Sequence, residues 1–243
     1  MNSQDDIGLR QSLELLKANG AAPKTMFDIG VATGTTGFYR TFETVRFVLI
    51  DPAAESEPFM RAICAEFPGA IYEVVAAGAA PGSASFGVDN GLSGSSFFRK
   101  GGDRRMVPVV TLDSLVEKHR LEPPFLLKLD VQGYELEVLK GFAANLARAE
   151  AIVAETTFWA DRKADGRAIF HELIAFMAAR DFVLYDIAGL VRRPRDGALA
   201  GADLVFVPAT SRLREHRTSR TPEQQAERDA AKAAKLRGFK LRL

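Results

Sequence analysis

The stretch Leu126-Leu-Lys-Leu-Asp-Val-Gln-Gly-Tyr-Glu-Leu-Glu-Val-Leu-Lys-Gly141 decides how this chain is read. Its apolar start predicts a buried strand ending in an acid, Asp130. Gly133 then supplies a turn, and Leu136, Val138 and Leu139 mark a following helix. An acid and a glycine where a parallel strand stops mark the rim at which open α/β sheets bind ligands. The same layout occurs earlier, in Met26-Phe-Asp-Ile-Gly30. Two such rims predict a nucleotide-type cofactor lying across adjacent strand ends.

Working outward, a rough helical period over 7–19 stops at Asn19-Gly20. Apolar runs predict strands at 25–29, 45–50, 71–77, 125–130 and 151–155, with closing strands at 182–186 and 203–207. Helices are predicted over 56–67, over 112–119 with Thr111 as cap, from the end of the fourth buried strand through Ala144, and over 166–179. Residues 78–102, rich in Gly and Ser, must be surface loop or hairpin, and 107–111 returns to β character. The early strands are apolar on both faces and alternate with helices. That pattern predicts a mostly parallel α/β sheet with helices on both sides. The last two strands are too close for a helical crossover and must pair antiparallel. Seven strands with one late antiparallel member resemble the Rossmann-like class I methyltransferase arrangement.

A chain of 243 residues can bury one sizeable core. A single cysteine, Cys64, excludes an intrachain disulfide, and its helical setting reads as a small buried thiol. The first residues lack signal-peptide features, and no run approaches the ~18 apolar residues of a membrane span. The expected compartment is the cytoplasm. The net charge of +1 is unevenly placed: residues 211–243 hold ten Lys or Arg against four Asp or Glu. The expected organisation is therefore an N-terminal helix over 1–22, a globular domain over 23–210 and a basic extension over 211–243, solvated and unlikely to seek nucleic acid.

The first turn, Asp28-Ile-Gly-Val-Ala-Thr-Gly-Thr-Thr-Gly37, places Gly30 and Gly34 where a backbone can approach a ligand. Its spacing lacks the paired glycines that seat a pyrophosphate. Asp28 beside it would repel a diphosphate but suits the cationic sulfonium and ammonium of S-adenosylmethionine. Asp51, at the end of the second strand, is placed to accept both hydroxyls of a ribose, or else only starts a turn with Pro52.

Taken together, Phe27-Asp-Ile-Gly30, Ile50-Asp-Pro52, Thr111-Leu-Asp113, Leu127-Lys-Leu-Asp-Val-Gln-Gly-Tyr-Glu135 and Val138-Leu-Lys-Gly141 resemble the FkbM-type S-adenosylmethionine-dependent methyltransferases. The resemblance spans roughly residues 24–207. It implies a Rossmann-like sheet binding S-adenosylmethionine and, in most characterised members, O-methylation. It further implies that Asp28, Gly30 and Gly34 line the methionine end and that Asp51 meets the ribose. Two residues depart from the family pattern: Thr33 replaces the usual Asn, and Asp51 replaces the commoner Glu.

Methyl transfer needs an aligned nucleophile and often a base. Asp130 and Glu155, at neighbouring strand ends, are the catalytic candidates; they can share a proton, hold substrate hydroxyls or ligate Mg²⁺. The alternative for each is a turn or cap acid. His171 is a further candidate for reaching the acceptor, whereas His119 and His216 read as solvated. Lys128, inside an apolar strand, calls for a carboxylate partner, Asp113 or a strand-end acid. Glu135 reads as structural or as holding a loop. The Ser93–Ser96 loop, with Ser95 and Ser96, can cradle the cofactor or act as a lid, or it is a plain linker. Phe158-Trp159 either stacks on a flat acceptor or caps the core.

The reading is a methyltransferase acting on a hydroxyl of a sugar, glycan or other small metabolite, with homodimerisation left open. The rivals are an NAD-dependent oxidoreductase and a non-enzymatic binding protein using its basic tail. Against the oxidoreductase stand the glycine spacing and the lack of a paired Tyr/Lys or catalytic His.

Overall fold

A computed structural model describes residues 3–42, 44–159, 166–215 and 219–240, with side chains from 8 to 236; His216 lies outside the described residues. In chain order the elements are α1 (Ser3–Ala18), β1 (Thr25–Ile29), α2 (Thr36–Thr41), β2 (Arg46–Ile50), α3 (Glu57–Glu66), β3 (Ile71–Glu73), β4 (Ala76–Ala77), β5 (Gly82–Val88) and β6 (Asp103–Val110). They continue with α4 (Leu112–His119), β7 (Phe125–Leu129), α5 (Glu135–Lys140), β8 (Ala149–Thr157), α6 (Phe170–Ala178), β9 (Phe182–Arg192), β10 (Leu199–Pro208) and α7 (Pro222–Lys240).

The main sheet has seven strands in the order β3-β2-β1-β7-β8-β10-β9. All pair parallel except β10, which runs antiparallel to both of its neighbours. From β1 the chain winds outward to β2 and β3, then returns to place β7 on the other side of β1. This reversal leaves a crevice outside the carboxyl ends of β1 and β7, because their crossovers lead to opposite sides.

Alternate side chains of each strand serve opposite helix layers. Phe27, Ile29, Leu127, Leu129, Ile152 and Leu204 pack with Leu112, Leu115, Val138, Leu139, Leu173 and Met177 of α4, α5 and α6. Met26, Phe47, Leu49, Leu126, Val153 and Val205 pack with Leu9, Leu13 and Leu16 of α1, Phe38 and Tyr39 of α2, and Met60 of α3. All five residues of β1 and of β7 are buried, which explains why both read as apolar on both faces apart from Thr25 and the paired Asp28 and Lys128. Thr111 caps α4 as expected, accepting from the Ser114 N–H at 3.1 Å.

Several expected boundaries differ. The single strand over 71–77 is two, because the chain leaves β3 for a second, three-stranded sheet in the order β4-β6-β5. Residues 78–102 are, as expected, partly a hairpin arm, with β5 antiparallel to β6. The helix placed through Ala144 stops at Lys140, and that placed over 166–179 starts at Phe170. α2 had no signal in the periodicity; its six residues are too few for one. Cys64 is half-buried beside the second core layer, and burial pushes its thiol pKa up.

The packed body also runs past residue 210. Leu213 is buried in the same layer as α1, and Arg212 donates to Gly20 O and pairs with Glu150. By contrast, every described side chain of α7 is exposed. Among the described residues no helix is long and apolar enough to cross a membrane. A chain ended at Glu215 is therefore expected to melt with the full-length protein. One ended at Ala209 is expected to lose about 1.5–3 kcal/mol of stability for Leu213 alone. Urea unfolding of the two truncations checks this, and equal stability would place the body's end before Leu213.

Candidate functional site

At the β1–β7 crevice the chain makes two tight turns side by side. Gly30 follows β1 with φ of +88°, and a Cβ there would stand 1.9 Å from the carbonyl oxygen of Asp130. Only glycine lets the ends of β1 and β7 approach this closely. Ala32 and Gln132, one in each turn, are left-handed at φ of 49° and 55°. For residues with a Cβ this conformation costs roughly 1–2 kcal/mol, so it persists where neighbours enforce it.

Asp51 is one such neighbour. Its Oδ2 accepts from the Ala32 N–H and its Oδ1 from the Ala53 N–H, both at 2.8 Å. Burial pushes its carboxyl pKa up, against these two hydrogen bonds. A carboxylate has about four lone-pair sites, so acceptor capacity remains on the side that lines the cleft. That cleft encloses about 840 Å³, part of it open to solvent. One wall holds Gly30, Ala32, Thr33, Asp51, Asp130 and Gln132; the other holds Val75, Ala77, Phe86, Leu92, Phe97 and Tyr134. The second wall is an aromatic shelf: the Phe97 ring lies 4.4 Å from Tyr134 and 5.3 Å from Phe86.

Beneath the first wall lies a buried cation. Lys128 Nζ donates to Asp28 at 3.3 Å and to Asp130 at 3.4 Å. Burial opposes its charge, but Asp28, Asp130 and Asp203 outweigh burial and raise its pKa. Asp28 is fully buried and also accepts from the Tyr39 hydroxyl. One ammonium cannot neutralise every acid around it. Burial pushes the Asp28 pKa up, whereas Asp130, where Lys128 is reinforced by hydrogen bonds from Glu155 and Gln132, is held low despite burial. The Gln132 amide bridges the catalytic candidates, donating to Asp130 Oδ1 at 2.9 Å and to Glu155 Oε2 at 2.7 Å. Burial, then the charge of Asp130, push the Glu155 pKa up to about 10. The two carboxyls therefore share a proton at neutral pH. Glu135, pushed up by burial to about 7, accepts from the Gly133 N–H at 3.0 Å and holds that turn, as expected.

The sequence candidates separate accordingly. Gly30, Thr33, Asp51, Ser95 and Asp130 line the main cleft, while Glu155 lines a neighbouring pocket that meets it at Gln132. Asp28 and Gly34 do not line the cleft: Asp28 is turned under the sheet towards Lys128, and Gly34 faces Tyr39 and Ile63. Ser96 is paired through its backbone with Gly87 and faces another opening. His171 is exposed on α6 and lines none of these clefts. Asp113 does not reach Lys128; it accepts from Ala144 N and Asn145 Nδ2, tying α4 to the turn after α5. Phe158 stacks on Phe170 at 4.7 Å beside the core, and Trp159 donates to Leu199 O under Arg193. Gln132, Phe86, Phe97 and Tyr134 went unrecognised in the sequence. Gln132 lay inside the deciding motif, but the aromatic shelf is assembled from three distant segments and left no local signal.

Among the described residues no group of three or more His, Cys, Asp or Glu side chains is disposed to hold a metal. The chemistry of the Asp130–Glu155 pair agrees. The Gln132 amide N–H stands between the two carboxyls, so as arranged they are bridged by a donor rather than disposed around a shared Mg²⁺.

Residues 28–184 match the methyltransferase FkbM domain model, and the chain belongs to that family. No curated protein sequence matches it. A Thermobifida fusca protein classed as a candidate methyltransferase is similar in fold, with 12% identity, coverage of 84% of this chain and 80% of that one, and a TM-score of 0.50. Weaker likenesses are the Burkholderia thailandensis 1,6-didemethyltoxoflavin-N1-methyltransferase with bound S-adenosylhomocysteine and the Synechocystis magnesium protoporphyrin IX methyltransferase with bound SAM. The first has 14% identity, coverage of 84% and 79%, and a TM-score of 0.44; the second has 10%, 83% and 80%, and 0.42.

The shared proton has a consequence for stability. Glu155 has a folded pKa above its unfolded value, so its contribution is complete below the ordinary carboxylate range and is lost as pH rises towards about 10. Glu155→Gln keeps a neutral side chain at every pH. The variant is expected to gain on the wild type between pH 6 and 9, by up to about 1.4 kcal/mol per pH unit. Parallel stability–pH curves for the two proteins would contradict the shared proton.

Proposed function

We propose that this methyltransferase takes its methyl group from S-adenosylmethionine and delivers it to a hydroxyl of a sugar, glycan or other small metabolite. The observation that carries the reading is the single wall joining the Gly30–Thr33 turn, Asp51 and the Asp130–Gln132 turn across the β1–β7 switch. The residues present fit the cofactor. Asp51 offers its remaining lone pairs to a ribose diol, and the aromatic shelf of Phe86, Phe97 and Tyr134 suits a flat base. The anionic Asp130 suits a cationic centre, and a diphosphate would find acids where it needs cations. When bound, the cofactor supplies an electrophilic methyl group on a sulfonium.

The chain's own residues do the rest. Gln132 fixes Asp130 and Glu155 relative to each other, so an acceptor hydroxyl hydrogen-bonded to Asp130 is held in one orientation. As the new C–O bond forms, that hydroxyl becomes strongly acidic. Asp130 can then take its proton even though its own pKa is low. Burial and the charge of Asp130 push the Glu155 pKa up, so the pair presents the acceptor with less negative charge than two carboxylates would. Leu92, Ser93 and Ser95 line the cleft, and a loop there can shield a bound cofactor from water.

Calorimetry with S-adenosylhomocysteine and turnover with an identified acceptor test the assignment. Asp51→Ala is expected to weaken S-adenosylhomocysteine by about 1.5–3 kcal/mol, the range for hydrogen bonds to a charged group. Asp130→Asn is expected to lower turnover by about 100-fold or more with cofactor affinity little changed. Unchanged affinity in folded Asp51→Ala would remove the ribose role, and full activity in Asp130→Asn would remove the base.

A further inference from the structure

β9 closes one end of the main sheet, and its two faces differ. On one face α1 covers it. Ser12 donates to Asp186 at 2.6 Å and Asn19 to the Tyr185 hydroxyl at 3.0 Å, while a Cβ at Gly8 would stand 1.7 Å from the Ala188 carbonyl oxygen. The other face belongs to the α6 layer, and there β9 is open. Leu184, Ile187 and Leu190 are 41%, 48% and 54% exposed, although they stand opposite Phe206, Leu204 and Ala202, all buried in that layer.

Irregularities in the strand set this spacing. An ordinary strand shows every second residue to one face. Register shifts between Val205 and Phe206, and between Asp203 and Leu204, each give β9 one extra residue, so Leu184, Ile187 and Leu190 face the same way. Apolar side chains exposed singly need no explanation, but three in one row make a contiguous patch. The edge backbone is itself protected: the same bulges interrupt it, and Asp186 Oδ1 accepts from the Ile187 N–H at 2.9 Å. The row therefore suits packing of faces rather than addition of a strand.

Its symmetry names the occupant. A two-fold contact needs a patch that complements itself. Leu184 and Leu190 stand at equal distances in sequence on either side of Ile187, so an antiparallel second copy sets Ile187 on the partner's Ile187 and Leu184 on the partner's Leu190. The row also ends in opposite charges, with exposed Asp181 before it and exposed Arg192 after it. Neither is spent in an ion pair among the described residues, and Arg192 gives a single donor to Gly197 O. The same two-fold carries each Asp181 towards the partner's Arg192. We propose that this chain forms a two-fold dimer through the α6-side face of β9, with Leu184, Ile187 and Leu190 at its centre and Asp181–Arg192 pairs at both ends. A patch of this size supports a weak, concentration-dependent association.

Sedimentation velocity on the full-length protein from about 1 µM to 1 mM, the span over which weak complexes dissociate, tests this. The wild type is expected to pass from monomer to dimer. Ile187→Asp is expected to stay monomeric with its melting temperature little changed, since Ile187 lines neither the cleft nor the pocket beside it. Arg192→Glu and Asp181→Lys are each expected to weaken the dimer about tenfold by setting like charges together. An equimolar mixture of these two variants is expected to associate as well as the wild type, because both end pairs are then restored. The mixture reads contact between copies, and it decides the matter alone if Ile187→Asp fails to fold. A wild type monomeric throughout, a dimer that survives in folded Ile187→Asp, or charge variants that associate no better mixed than apart would overturn the proposal.

Discussion

A buried ammonium holds this site together. Lys128 lies in a fully buried strand, directly across from Asp28 of β1 in the parallel register. A cation taken out of water is costly unless paired and hydrogen-bonded, and removing one partner of such a group typically costs about 3–5 kcal/mol. Lys128 thus requires acids on both sides, and the chain supplies Asp28 beneath and Asp130 at the strand end. The first seals the charge under the sheet. The second becomes an anion at the crevice. The same interaction therefore stabilises β1 against β7 and decides which carboxyl faces a ligand in its charged form.

The surrounding turns follow from that placement. Gly30 lets β1 end against the Asp130 carbonyl, and Asp51 holds Ala32 in a left-handed conformation through its N–H. Gln132, also left-handed in the neighbouring turn, puts one amide between two carboxyls. Local strain is set against hydrogen bonds that pre-arrange the polar groups before any ligand arrives.

Much of this was legible in the sequence, for physical reasons that can be named. Strands buried on both faces read as mostly apolar runs, so β1, β2 and β7 stood out despite Asp28 and Lys128, and the short link between β9 and β10 excluded a parallel pairing. Asp51 and Asp130 were readable because each follows such a run. Asp28 was misleading: its place in the motif is right, but side-chain alternation turns it to Lys128 rather than to the cleft. The partner of Lys128 was open between Asp113 and a strand-end acid, since spacing alone does not give the register between strands. Gly34, Ser96 and His171 are polar or small residues near the rim whose direction depends on tertiary packing. The aromatic shelf joins residues from β5, the loop after it and the turn before α5, and only the folded chain brings them together.

The central claim is that a cofactor lies across the β1–β7 switch, with its ribose at Asp51 and its reactive centre towards Asp130 and Gln132. A crystal structure with S-adenosylhomocysteine tests this most directly. The account predicts both ribose hydroxyls within hydrogen-bonding distance of the Asp51 carboxylate, the base against Phe86, Phe97 or Tyr134, and the sulfur on the side of Asp130. A ligand bound outside this crevice, or one whose ribose leaves Asp51 untouched, would contradict it.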